Sequence, residues 1–145
     1  MGALAAVVAA PHLLAAQAKA PLIVYKDANC GCCHLWVEYM QARGYKATVT
    51  NTDMNRIKAQ YKIPQGLASC HTTLVGGYII EGHVPAPDIE AFLKQKPTTF
   101  IGLTIPGMPA SAPGMDQLPF VPYEVLTFDA QGRTTVFAKH TKPTR

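Results

Sequence analysis

The chain is poor in charge. Only 15% of its 145 residues are Asp, Glu, Lys or Arg, and the net charge of +4 comes from cations scattered along its length. No basic run is interleaved with aromatics, which argues against nucleic acid as a partner. No apolar stretch is long and unbroken enough to span a bilayer, because Pro11 and His12 interrupt the one near the start. Internal repeats are absent, and no shift in composition marks a second domain. The low charge is not that of a disordered polypeptide, since 48% of the residues are hydrophobic. One domain with a sizeable core is therefore expected.

The first twenty residues, MGALAAVVAAPHLLAAQAKA, hold the apolar run and two small-residue cleavage patterns, Ala16-Gln17-Ala18 and Ala18-Lys19-Ala20. They read as a secretory leader (residues 1–20), in preference to an ordinary Ala-rich helix. No Lys or Arg precedes the run, as in a leader truncated at its start. The mature domain then covers residues 21–145 and works in the periplasm, an oxidising compartment where unprotected thiols tend to pair.

From Pro21 the periodicity spells out an order of elements. PLIVY is a short β-branched run, read as a buried strand. HLWVEYMQARGY sets Leu35 over Tyr39 and Trp36 over Met40 at helical spacing, with Gly44 where a C-cap belongs. YKATVTN is a second strand. TDMNRIKAQYKIP is a second helix, capped by Thr52 or Asp53, with Met54, Ile57 and Tyr61 on one face and Pro64 ending it. In TTLVGGYIIEGHV two apolar runs are joined by Gly76-Gly77, a hairpin signal. PAPDIEAFLKQKP forms a third helix with Pro87 in its first turn and Ile89, Phe92 and Leu93 inward. The order β-α-β-α-β-β-α, a parallel βαβ unit followed by a hairpin and a closing helix, predicts an α/β, thioredoxin-like fold. Residues 98–122 are rich in Pro and Gly, lack a period and read as an irregular Met/Pro/Gly loop, too long to be a mere connection. A C-terminal β-hairpin, YEVLTF and TTVFAKH around DAQGR, closes the chain.

Between the first strand and the first helix lies NCGCCH. Packing a core does not require Cys30, Cys32, Cys33 and His34 within five residues. Cys30 and Cys33 form a C-x-x-C pair at a helix start, where free N–H groups and the positive end of the helix dipole favour a thiolate. A thiolate attacks disulfides and binds soft metals. Cys32 tips the balance towards metal, because dithiol exchange needs two sulfurs and a third invites wrong pairing. Three thiolates at one helix start suit Cu(I), with Zn(II) as the alternative. The plainer reading, one disulfide with spare cysteines, is disfavoured because a Cys30–Cys32 bridge would be strained.

Cys70 and His71 occupy the loop that, in the thioredoxin arrangement, faces the cysteine bend and usually carries a cis-proline. A thiol and an imidazole there read as ligands that complete a metal site. Four thiolates exceed the need of one Cu(I), so sulfurs could bridge several ions. Met108 and Met115 offer either thioethers for Cu(I) or hydrophobic plugs for the loop. His83 reads as an exposed histidine, with an approach to the site as the alternative. His34 either tunes the thiolates or binds metal. His12 and His140 are set aside.

YKDANCGCCHLWVEYM, GLASCHTTLVGGYIIEGHVPAPDI and GLTIPGMPASAPGM together resemble the CopG-like family of bacterial copper-resistance proteins, over about Pro21 to Tyr123. The resemblance implies a thioredoxin-like fold, export, copper held by cysteine thiolates, a role in periplasmic copper handling beside other copper-handling proteins and, in some members, a change in the oxidation state of copper. The positions that carry over are Cys30, Cys32, Cys33 and Cys70, whereas His34 departs from the small residue expected after the motif. The expected function is thus a periplasmic copper-binding protein holding one or several Cu(I) ions. The alternatives are a thiol–disulfide oxidoreductase, with Cys30 attacking and Cys33 resolving, and a zinc-bound structural module. Whether the protein turns over as an enzyme is left open.

Overall fold

The computed structural model describes residues 17–143, so most of the expected leader, with His12, lies outside the described residues. Strands are β1 (Leu22–Lys26), β2 (Ala47–Asn51), β3 (His71–Val75), β4 (Tyr78–Glu81), β5 (Gly102–Thr104), β6 (Tyr123–Phe128) and β7 (Thr134–His140). Helices are α1 (Gly31–Gln41), α2 (Met54–Gln60) and α3 (Ala86–Gln95), and a 3-10 turn spans Gln65–Leu67. The strands form one seven-stranded mixed sheet in the order β2-β1-β3-β4-β5-β6-β7. Strands β1 and β2 run parallel around α1, whereas β3 pairs antiparallel with both β1 and β4.

Local chemistry explains most of these boundaries. Asp53 caps α2 by accepting the Asn55 N–H at 2.9 Å, which decides between the two expected caps. Gly44, at φ +84°, turns the chain out of α1 so that the Tyr45 N–H reaches back to the Met40 carbonyl at 3.2 Å. The buried face of α1 is Trp36, Val37 and Met40, while Leu35 points to solvent. Ile89 and Phe92 bury the inner face of α3, with Leu93 half-buried beside them. In β1 only Leu22, Val24 and Lys26 are buried; Ile23 is 41% exposed, so the strand is covered on one face and not both.

The long segment after α3 is not wholly irregular. It contains β5, which lies parallel to β4 (Ile79 beside Gly102, Glu81 beside Thr104) and antiparallel to β6. Any Cβ at Gly102 would sit 1.9 Å from the Ile79 carbonyl oxygen, so the pairing requires glycine there. Through β5 the C-terminal hairpin becomes part of the main sheet. A three-residue strand has too little length to show a period, which is why the sequence hides it.

Candidate metal centre

The cysteine bend is built on the first turn of α1. Cys30 occupies the N-cap with extended dihedrals, and no side chain caps the helix and no acid stands in its first turn. The free N–H groups and the positive dipole end therefore face the sulfurs. Cys33 is fully buried, Cys30 and Cys32 are partly exposed. The Cys30 and Cys33 sulfurs are bonded, with 5.4 Å between their Cα atoms, while Cys32 and Cys70 are free. The single-bridge arrangement, disfavoured above on the strain of a Cys30–Cys32 bond, is the one the structure holds, because the bond runs across the C-x-x-C spacing instead. The Cys32 Sγ lies 3.6 Å from that of Cys30, and all four sulfurs lie within 4.8 Å of one another. Taking up two electrons and two protons would open the bridge into two more thiols.

Cys70 arrives from the opposite loop, immediately before β3. Its Sγ is 3.3 Å from the His71 Nδ1 and 3.0 Å from the His83 Nε2. These three ligand atoms also lie within 4.8 Å of one another, so Cys70 belongs to two overlapping groups of donors. His83, read from sequence as an exposed residue, is completely buried. Its Nδ1 stands 2.7 Å from the Pro113 carbonyl, which can only accept, so Nδ1 carries the proton and Nε2 turns a lone pair to Cys70. His71 is likewise buried, between the Trp36 ring (4.6 Å between centroids) and the His83 ring (4.9 Å). Among the described residues the His71 Nε2 is buried without a partner.

These surroundings decide protonation. Burial, then the neighbouring Cys32, pushes the Cys70 thiol up to about 12, so without metal it is a neutral thiol that can donate to the His83 Nε2. Burial holds the His71 imidazole well below its ordinary 6.5, helped by His83, Lys58 and Lys26. Burial also lowers His83, against the Pro113 carbonyl, which raises it. Two neutral imidazoles and a thiol that must lose its proton on binding a cation make a soft nitrogen and sulfur donor set.

The segment before β6 covers this site. A Cβ at Gly114 (φ +86°) would lie 2.8 Å from the Trp36 backbone nitrogen and 3.1 Å from the Cys32 carbonyl oxygen, so residues around Pro113 rest directly on the first turns of α1. Pro113, missed in the sequence, orients His83 from thirty residues away. Met115 follows Gly114 and is half-buried, whereas Met108 is 56% exposed. His34 lies outside both groups, exposed and 3.2 Å from Glu38 one turn along α1. His140 pairs with Asp88 at 2.7 Å, consistent with its being set aside.

A family model described as a protein of unknown function, DUF411, matches residues 67–115, the stretch that holds Cys70, His71 and His83. Two solved structures of a copper resistance protein, CopG, are similar over nearly their whole length. Form 2 is 35% identical, with 84% of this chain and 98% of that chain covered and a TM-score of 0.77. Form 1 is 34% identical, with 87% and 99% covered and a TM-score of 0.78. The chain belongs to the CopG family. No curated protein matches it. The similarity to CopG bears out the resemblance carried by the three sequence motifs and matches the mixed α/β architecture of a seven-stranded sheet and three helices among the described residues. This chain carries, besides, a cysteine cluster able to hold metal.

Proposed function

We propose that this CopG-family chain is a periplasmic copper-binding protein that holds Cu(I), as several sulfur-bridged ions, through Cys30, Cys32, Cys33 and Cys70, with His71 and His83 as nitrogen donors beside Cys70. The observation that carries the reading is the convergence of four sulfurs within 4.8 Å, one of them shared with two buried neutral imidazoles. Neither donor group contains a carboxylate, and thiolate with imidazole is the ligand chemistry of Cu(I) in preference to hard cations. Zn(II) also accepts such donors, but the similar structures are of a copper resistance protein. The order from β1 to α3, with its parallel β1-α1-β2 unit and β3-β4 hairpin, supports the thioredoxin-like description. Export follows from the leader-like residues 1–20, and among the described residues no helix is long and apolar enough to cross a membrane. The thioethers of Met108 and Met115 serve as outlying copper donors on the covering segment.

In the redox form of this proposal the opened Cys30 and Cys33 pair is the electron donor. Two Cu(II) ions each take one electron and become Cu(I), while the two thiols give up two electrons and two protons and close the bridge, leaving the Cu(I) to Cys32 and Cys70. The experiment that tests copper binding is elemental analysis of protein purified anaerobically from copper-fed cells. Copper in excess of one ion per chain is expected; zinc alone, or no metal, overturns the reading. A second reading, a thiol–disulfide oxidoreductase, is favoured by one observation, the Cys30–Cys33 bond itself. It predicts that Cys70→Ser leaves disulfide exchange intact.

A further inference from the structure

Behind Cys70 lies a buried carboxylate that the site as described does not use. Glu81, at the end of β4, is 0% exposed, an expensive place for a charge without compensation. One of its oxygens, Oε1, accepts the Ser69 backbone N–H at 2.8 Å and the Lys58 ammonium of α2; the other, Oε2, accepts the Thr72 hydroxyl at 2.6 Å. Lys58 also reaches the Thr72 hydroxyl at 3.3 Å. Ser69 and Thr72 are the residues immediately flanking Cys70-His71. A single side chain therefore ties down both ends of the dipeptide that supplies a thiol and an imidazole.

The backbone around Glu81 is shaped to the same end. Gly82, at φ +81°, donates its N–H to the His71 carbonyl at 3.0 Å, and a Cβ there would fall 2.4 Å from the Ser69 Oγ. The Ser69 hydroxyl in turn bonds the Gly107 carbonyl, joining the loop to the segment after β5. The next residue is His83, whose Nε2 faces Cys70. In the run Glu81-Gly82-His83 the first residue grips the Cys70 loop, the second lets Ser69 approach, and the third offers nitrogen. Hairpin pairing alone does not require an acid at Glu81, because an apolar residue opposite Thr72 would pair as well and without desolvating a charge.

We infer that Glu81, held by Lys58, is a positioning residue that presets the Cys70 thiol and the His71 imidazole for metal. The inference rests on the copper reading above. It is tested by a double-mutant cycle on the full mature chain, reduced and anaerobic, with Cu(I) titrated against a competing chelator and folding followed by circular dichroism. Glu81→Gln keeps the shape of the side chain and loses its charge. Glu81→Gln with Lys58→Met also removes the ammonium left without a partner, so the pair stays foldable. Changes to partners that orient metal ligands cost roughly 10–100-fold in affinity, and a loss of that size is expected for both variants when Cys70 is present. In a Cys70→Ser background the same changes should cost clearly less, because only the His71 imidazole is left for them to position. Unchanged affinity in the folded Glu81 variants overturns the inference. So does an equal loss with and without Cys70, which would mark a merely structural role. If wild type and Cys70→Ser already bind copper alike, the ligand assignment itself fails, and that result is read before any Glu81 variant is made.

Discussion

The metal-free, reduced protein should lose stability on mild acidification, and the loss should come from His71 and His83. Both rings are buried and held below the ordinary imidazole value of 6.5, His71 well below it. His71 has no room to take a proton. Trp36 and His83 pack against its ring, the Lys58 and Lys26 ammoniums add positive charge, and its Nε2 has no acceptor. Once unfolded, both imidazoles protonate near 6.5. Below that pH the unfolded chain binds protons that the native chain refuses, so stability is fully present above 6.5 and falls as pH drops. Each such group removes about 1.4 kcal/mol per pH unit until its native pKa is reached. Lowering the pH from about 7.5 to about 5.5 should then cost about 1.4 kcal/mol from His71, and up to as much again from His83. The Glu81 and Asp88 carboxyls, raised by burial, act in the opposite sense, so the contribution must be isolated. The assay is urea denaturation at both pH values for wild type and His71→Asn, the variant lacking one titrating ring. Its pH slope should be shallower by the His71 share. Equal slopes would show that His71 takes a proton while folded, and the account of the site as a pair of neutral imidazoles would fall.

Replacing Cys70 by Ser removes the sulfur common to both donor groups and should cost at least ~10–100-fold in Cu(I) affinity by chelator competition, because losing a ligand costs no less than disturbing its support. Stoichiometry should fall with it, and unchanged values would return the dithiol reading to first place. Gly82→Ala places a methyl against Ser69 in a left-handed backbone position, which costs roughly 1–2 kcal/mol before the clash is counted. A lower urea midpoint together with weaker copper binding is expected, and an unaltered midpoint would contradict the close approach. In a cell carrying the native leader the mature chain should begin within a few residues of Ala20, and an intact mass matching an uncleaved chain would refute export.

What could be read without a structure was local. Asp53 before an apolar-periodic run, Gly76-Gly77 between two β-branched runs, and the C-x-x-C pair where a strand gives way to a helix each encode their geometry within a few residues. Backbone dihedrals, caps and side-chain period are short-range properties, so the element order through α3 and the terminal hairpin were legible. The Cys30, Cys32, Cys33 and Cys70 cluster was legible for a related reason: its residue types are too reactive to be filler. The features that stayed hidden depend on contacts between distant segments. Strand β5 exists because Gly102 lets three residues pass beside Ile79, a fit that no period in its own sequence announces. His83 looked like a surface residue because its own strand ends there; its burial comes from the Pro113 segment folding back over it. Nothing in the sequence singles out Glu81, and only the approach of Lys58, Ser69 and Thr72 makes it a buried carboxylate with three donors. A side chain's protonation, tautomer and partners are set by everything that packs around it, and in this chain those neighbours arrive from distant parts of the sequence, as Trp36 does at His71 and Pro113 at His83.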